Sequence, residues 1–88
     1  MKIKLLKQMI MEAVDTGTAK ITVNDGNNTD VWYLAKGDDS THFEMVNNQK
    51  YLGKFGADKH IGQFRNAPWY DDVKSWLKGG KSPDGKTY

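Results

Sequence analysis

The apolar residues change period twice along the chain. Ile3, Leu6, Ile10, Ala13 and Val14 recur at helical spacing, and Leu5 and Met9 widen the stripe. That pattern predicts an amphipathic helix over residues 2–15 whose apolar face must pack on something. Gly17 is its natural stop. From Thr18 the period becomes two. Ala19, Ile21 and Val23 alternate with polar residues and predict a first strand over 18–24. Asp25-Gly26-Asn27-Asn28 has turn chemistry. Thr29–Lys36 then reads as a second strand built on Val31, Trp32, Tyr33 and Leu34. Gly37-Asp38-Asp39 turns the chain again. Ser40–Val46 reads as a third strand, with Phe43 and Met45 on one side and His42, Glu44 and Val46 on the other. After Asn47-Asn48, Gln49–Phe55 is a weaker fourth strand, with Tyr51 and Phe55 on one face around Gly53. Short connections predict antiparallel pairing in sequence order, a meander.

The helical period returns near the C-terminus. The segment 56–67 has no clear pattern beyond a helical turn at Ala57–Ile61. Asn66-Ala67-Pro68 is a helix-start signal. Trp69, Val73, Trp76 and Leu77 form one apolar stripe, Asp71 and Asp72 favour the first turn, and Gly79-Gly80 ends the helix. Lys81–Tyr88 has no apolar pattern. The expected fold class is therefore α+β: an N-terminal helix, an antiparallel meander of three to four strands, a C-terminal helix and a flexible C-terminal tail. Residues 1–80 form the domain and 81–88 the tail.

Composition narrows the function more by exclusion than by assertion. The 88 residues suit one small domain. There are no cysteines, which excludes disulfide scaffolds, cysteine-ligated zinc and thiol catalysis and leads to a cytoplasmic expectation. No apolar run approaches the roughly 18 residues of a membrane span. The basic start at Lys2 and Lys4 fails as a signal peptide, because Lys7, Gln8, Glu12 and Asp15 interrupt it. Net charge is only +2, and three Phe, three Trp and four Tyr supply the volume for a ring-rich core. Charge is unevenly spread. Asp25, Asp30, Asp38, Asp39 and Glu44 face Lys36 alone in the middle of the chain, while both ends are basic.

No motif is specific enough to name a chemistry. His42-x-Glu44 puts an imidazole and a carboxylate on one strand face, and Asp38, Asp39 or His60 would have to complete a metal or acid–base site. A polar strand face turned to solvent explains the same residues, so neither a metal nor a cofactor is expected. Gly79-Gly80-Lys81-Ser82 follows a helix where a phosphate loop precedes one. Elimination leaves a non-enzymatic binding protein whose partner is another protein. Its contact residues are expected to be Trp32, Leu34, Tyr51 and the acidic turn Asp38-Asp39, since the second strand is apolar on both faces and aromatic residues lead interface hot spots. Small accessory proteins of phages and mobile elements that inhibit or adapt larger proteins share this build. An unpaired edge strand would also serve for a homodimer. The alternative is a single-stranded nucleic-acid binder that stacks bases on Phe55 and the other sheet aromatics, with Lys36, Lys50 and Lys54 on the phosphates.

Overall fold

The computed structural model describes residues 16–53 and 58–88. The helix expected over 2–15 lies outside the described residues, as do Lys54 and Phe55. The fold is an antiparallel sheet with one helix across it. Strands β1 (Thr18–Asp25), β2 (Asn28–Lys36), β3 (His42–Val46) and β4 (Asp58–His60) lie in sequence order, and helix α1 spans Tyr70–Leu77. The meander is therefore present, and each pairing is antiparallel.

The β1–β2 hairpin closes where the turn chemistry placed it. Gly26 takes a φ of 70° at the first central position while no non-glycine residue among those described has positive φ. A II′ connection needs that arrangement. The register that follows puts Ala19 opposite Leu34 and Ile21 opposite Trp32. Leu34 in turn faces Met45. Side chains alternate along a strand, so Ala19, Ile21, Val23, Trp32, Leu34, Phe43 and Met45 share one face of the sheet.

Helix α1 covers that face. Trp76 and Val73 are fully buried, with Trp69 and Leu77 nearly so, against Ile21, Leu34, Phe43 and Ile61. Phe43, Phe64 and Trp69 stack in mutual contact, with ring centres 5.0–6.1 Å apart. The helical stripe and the alternating strands thus meet as one core, and Asp71 and Asp72 occupy the first helical turn, where the backbone dipole favours carboxylates.

Three expectations change. The fourth strand is not Gln49–Phe55. Gln49–Tyr51 is a 3-10 turn capped by the Asn48 side chain, and Gly53 adopts a φ of 77°, which ends any extended run. The fourth strand is Asp58–His60, followed by a 3-10 turn at Ile61–Phe64. The third strand begins at His42, because Asp39 accepts from the Thr41 and His42 amides and holds Ser40 and Thr41 in the connecting turn.

The third change concerns 81–88, expected as a flexible tail. Pro83 is fully buried, and the segment beyond it runs parallel to the outer edge of β1. Asp84 Oδ1 accepts from the Lys20 amide, and Gly85 donates to the Lys20 carbonyl. Thr22 donates to Lys86, Tyr88 donates to Thr22, and Asn24 donates to Tyr88. The physical reason is the edge itself: β1 presents a row of outward donors and acceptors, and the tail satisfies them.

Candidate interaction surface

The hairpin extends beyond the sheet that supports it. All of β1 pairs with β2, but β3 pairs only with Tyr33–Lys36. Residues Asn28–Trp32 therefore have a neighbour on the β1 side and none on the β3 side among the described residues. Hydrogen-bond parity shows what this leaves open. Lys36 donates to Gly17 on the β1 side, and Gly37 donates to His42 on the β3 side. Antiparallel bonding alternates, so even-numbered residues of β2 bond toward β1 and odd-numbered ones toward β3. Thr29 and Val31 consequently aim their backbone N–H and C=O groups at an edge that no strand occupies among the described residues.

Side chains on this overhang are partly open. Val31, Trp32 and Tyr33 are all half-buried. Trp32 shares its face with Val23 and Met45, and all three pack against the rim of the core. Tyr33 and Val31 lie on the second face of the sheet. That face is partly covered by the 49–53 turn, whose Gly53 amide donates to Glu44 Oε1 at 2.7 Å. Val46 is buried on the same face.

A second feature lies at the other end of β2. Lys36, Asp38, Asp39, His42, Glu44 and Asp58 line an open groove of about 510 Å³. Within it, Asp39 Oδ1 accepts from the Thr41 amide at 2.8 Å, the Thr41 hydroxyl at 2.7 Å and the His42 amide at 3.0 Å. Those bonds, led by the Thr41 hydroxyl, hold the Asp39 carboxyl well below the ordinary carboxylate range. His42 Nδ1 lies 3.1 Å from Asp39 Oδ1, and that contact raises the imidazole pKa above its usual value. His42 and His60 are cross-strand partners with ring centres 5.0 Å apart. His60 Nδ1 accepts from the Gly62 amide at 2.9 Å, which places the neutral ring's proton on Nε2. No group of three or more His, Cys, Asp or Glu side chains able to hold a metal ion occurs among the described residues.

The residues singled out as protein contacts are thus dispersed. Trp32 is on the overhang. Leu34 is fully buried in the core. Asp38 and Asp39 line the groove, and Tyr51 sits on the 3-10 turn over the second face. The sheet aromatics among the described residues likewise do not share one face. Phe43 is core, Trp32 faces the α1 side and Tyr33 the other. Lys36 lies over the Trp76 ring at 5.3 Å and Lys50 over Tyr51 at 5.2 Å.

One cluster has no counterpart in the sequence reading. The Tyr88 hydroxyl donates to Asp72 Oδ2 at 2.6 Å and Lys86 Nζ donates to the same atom at 3.0 Å. The signal was available in Pro83-Asp84-Gly85, a turn sequence that aims Lys86-Thr87-Tyr88 back along β1. Among the described residues no helix is long and apolar enough to cross a membrane. Comparison with family models, with curated proteins and with solved structures finds no match to this chain.

Proposed function

We propose that the protein is a non-enzymatic binding module that acts on another protein, as an inhibitor or adaptor, through the overhanging half of the β1–β2 hairpin. One observation carries the reading: β2 extends beyond β3 with Val31, Trp32 and Tyr33 only half-buried. A rigidly framed, partly open tryptophan beside apolar neighbours is the composition of an interface hot spot. The hairpin is anchored on its other side by the tail, so it presents this surface with little ordering left to do on binding.

The test compares immobilised wild-type protein with Trp32→Ala and Trp32→Lys in capture from lysate, with and without nuclease and at low and high salt. A defined protein band that survives nuclease and salt, and weakens at least tenfold with either variant, is the expected result. Unchanged near-ultraviolet circular dichroism apart from the lost indole would show that the variants remain folded. Equal capture by folded variants overturns the reading. So does recovery of nucleic acid that is lost at high salt, which would assign the surface to phosphate contacts instead.

A further inference from the structure

From the unpaired stretch of β2 we infer that the partner docks as an extended, cationic peptide segment, adding a strand beside Thr29–Val31 in the line that β3 leaves at Val46. This inference rests on the hairpin reading above and specifies how that surface is used. The β3 chain pairs with β2 only as far as Val46 opposite Tyr33, then turns away through Asn47-Asn48 into the 3-10 turn. The lane beyond Val46 holds no paired strand among the described residues. It is lined by the backbone groups of Thr29 and Val31, which no described residue engages. An incoming strand would complete four hydrogen bonds there, the bonding mode of strand addition to a sheet edge.

The other edge positions do not offer the same lane. The outer side of β1 from Lys20 to Asn24 is bonded to the tail. Strand β4 is three exposed residues long, and it carries no apolar residue to hold a partner.

Asp30 selects the occupant. It lies between Thr29 and Val31, exposed, and pairs with Val23 of β1. With an added antiparallel strand it would occupy a non-hydrogen-bonded pair, where cross-strand side chains approach most closely. A second copy of this chain is disfavoured there. The antiparallel register that engages Thr29 and Val31 of both copies sets Asp30 directly against its own counterpart, and like charges in that position repel. A lysine or arginine at the same position is attracted instead. Trp32, on the same face as Asp30, gives the neighbouring position of that face an apolar contact.

The experiment uses fluorescein-labelled peptides of alternating threonine and valine, with either lysine or glutamate at the centre. A third peptide carries the central lysine but is N-methylated at the amides that would face β2. Fluorescence polarisation with the full chain should show the lysine peptide binding at least tenfold more tightly than the glutamate peptide. N-methylation should abolish binding, because it removes the donors without changing the side chains. Asp30→Lys should reverse the order of the two charged peptides, and Asp30→Asn should level it. Equal binding of the N-methylated peptide, no measurable binding of the lysine peptide, or an unchanged order in Asp30→Lys would each overturn the inference. Sedimentation showing a wild-type dimer that Val31→Pro dissolves would do the same, by assigning the lane to a second copy. If Trp32→Ala abolishes partner capture while the peptides fail these criteria, the hairpin reading stands and strand addition falls. If the peptides behave as expected and capture ignores Trp32, the hairpin reading fails instead.

Discussion

Two tryptophans on the same side of the sheet have opposite assignments because of a few residues of register. Trp76 comes from α1 and is fully buried above Ile21, Leu34 and Phe43. Trp32 stands on β2 past the end of β3, at the rim of that core. Trp76→Ala should therefore cost about 3–5 kcal/mol, the range for truncating a buried aromatic, and chemical denaturation would measure it. A loss below about 1 kcal/mol would mean that the core does not depend on α1. At the groove, His42 makes a sharper claim. Its pKa is raised by the Asp39 contact, so the pair contributes its stability in full below the unfolded pKa near 6.5 and loses it as pH rises through the folded value. Asp58 adds a weaker favourable field from β4. Nuclear magnetic resonance titration should find His42 above the free-histidine value and show it fall in Asp39→Asn. A His42 titration that ignores the substitution would remove Asp39 as the cause.

The elements differ in how plainly the chain announces them. Strand β1 and helix α1 bury one face each, and burial imposes a period that sequence shows directly. Ala19 and Ile21 are buried at two-residue spacing, and Trp69, Val73, Trp76 and Leu77 at helical spacing. Strand β4 buries no residue, so Asp58-Lys59-His60 carries no apolar signature; only its pairing with β3 makes it a strand. Gln49–Phe55 misled for the converse reason. Its aromatic spacing resembled a strand, while the backbone was set by the Asn48 cap and Gly53. The terminal strap was illegible because most of its bonds are between backbones. Its side chains contribute through Asp84 on the Lys20 amide, the buried Pro83 ring, and Tyr88 and Lys86 where they meet Asp72. Tyr88→Phe removes a hydrogen bond to a carboxylate in a part-exposed setting, and a loss of about 1 kcal/mol is expected. Hydrogen exchange should locate the change, with faster exchange at the Thr22 and Asn24 amides, which the strap protects. Unaltered exchange at both would show that the tail is held by its backbone alone. Among the candidate-site features, the half-buried aromatic on β2 was visible in the sequence as a candidate contact, because both faces of that strand are apolar. The open lane beside it was not, since it depends on where β3 stops.

At the scale of the molecule, two carboxylates clamp segments that flank the sheet. Asp39 fixes the β2–β3 connection, and Asp72 fixes the terminal strap to α1. Both have lowered pKa values, Asp39 mainly through the Thr41 hydroxyl and Asp72 mainly through the Tyr88 hydroxyl. A lowered folded-state pKa stabilises the fold above the unfolded value near 3.8, and that contribution disappears as pH falls through the folded value. The Asp39–His42 contact reinforces the first clamp while both partners are charged, so its weakening begins at the carboxylate in acid and at the imidazole in base. Acid should accordingly release the β2–β3 connection and the strap while the apolar core under α1, which contains no titrating group, is unaffected directly. Denaturation midpoints measured at pH 7, 5 and 3 should be nearly level down to pH 5 and then fall. Asp72→Asn should begin lower at pH 7 and fall less steeply, because one of the two clamps is already gone. An Asp72→Asn curve parallel to the wild type would show that the strap carries none of the acid sensitivity, and the fall would then belong to Asp39 and the remaining carboxylates. The hairpin overhang depends on this same strap along β1, so partner binding should weaken over the same acid interval in which the Asp72 contribution is lost.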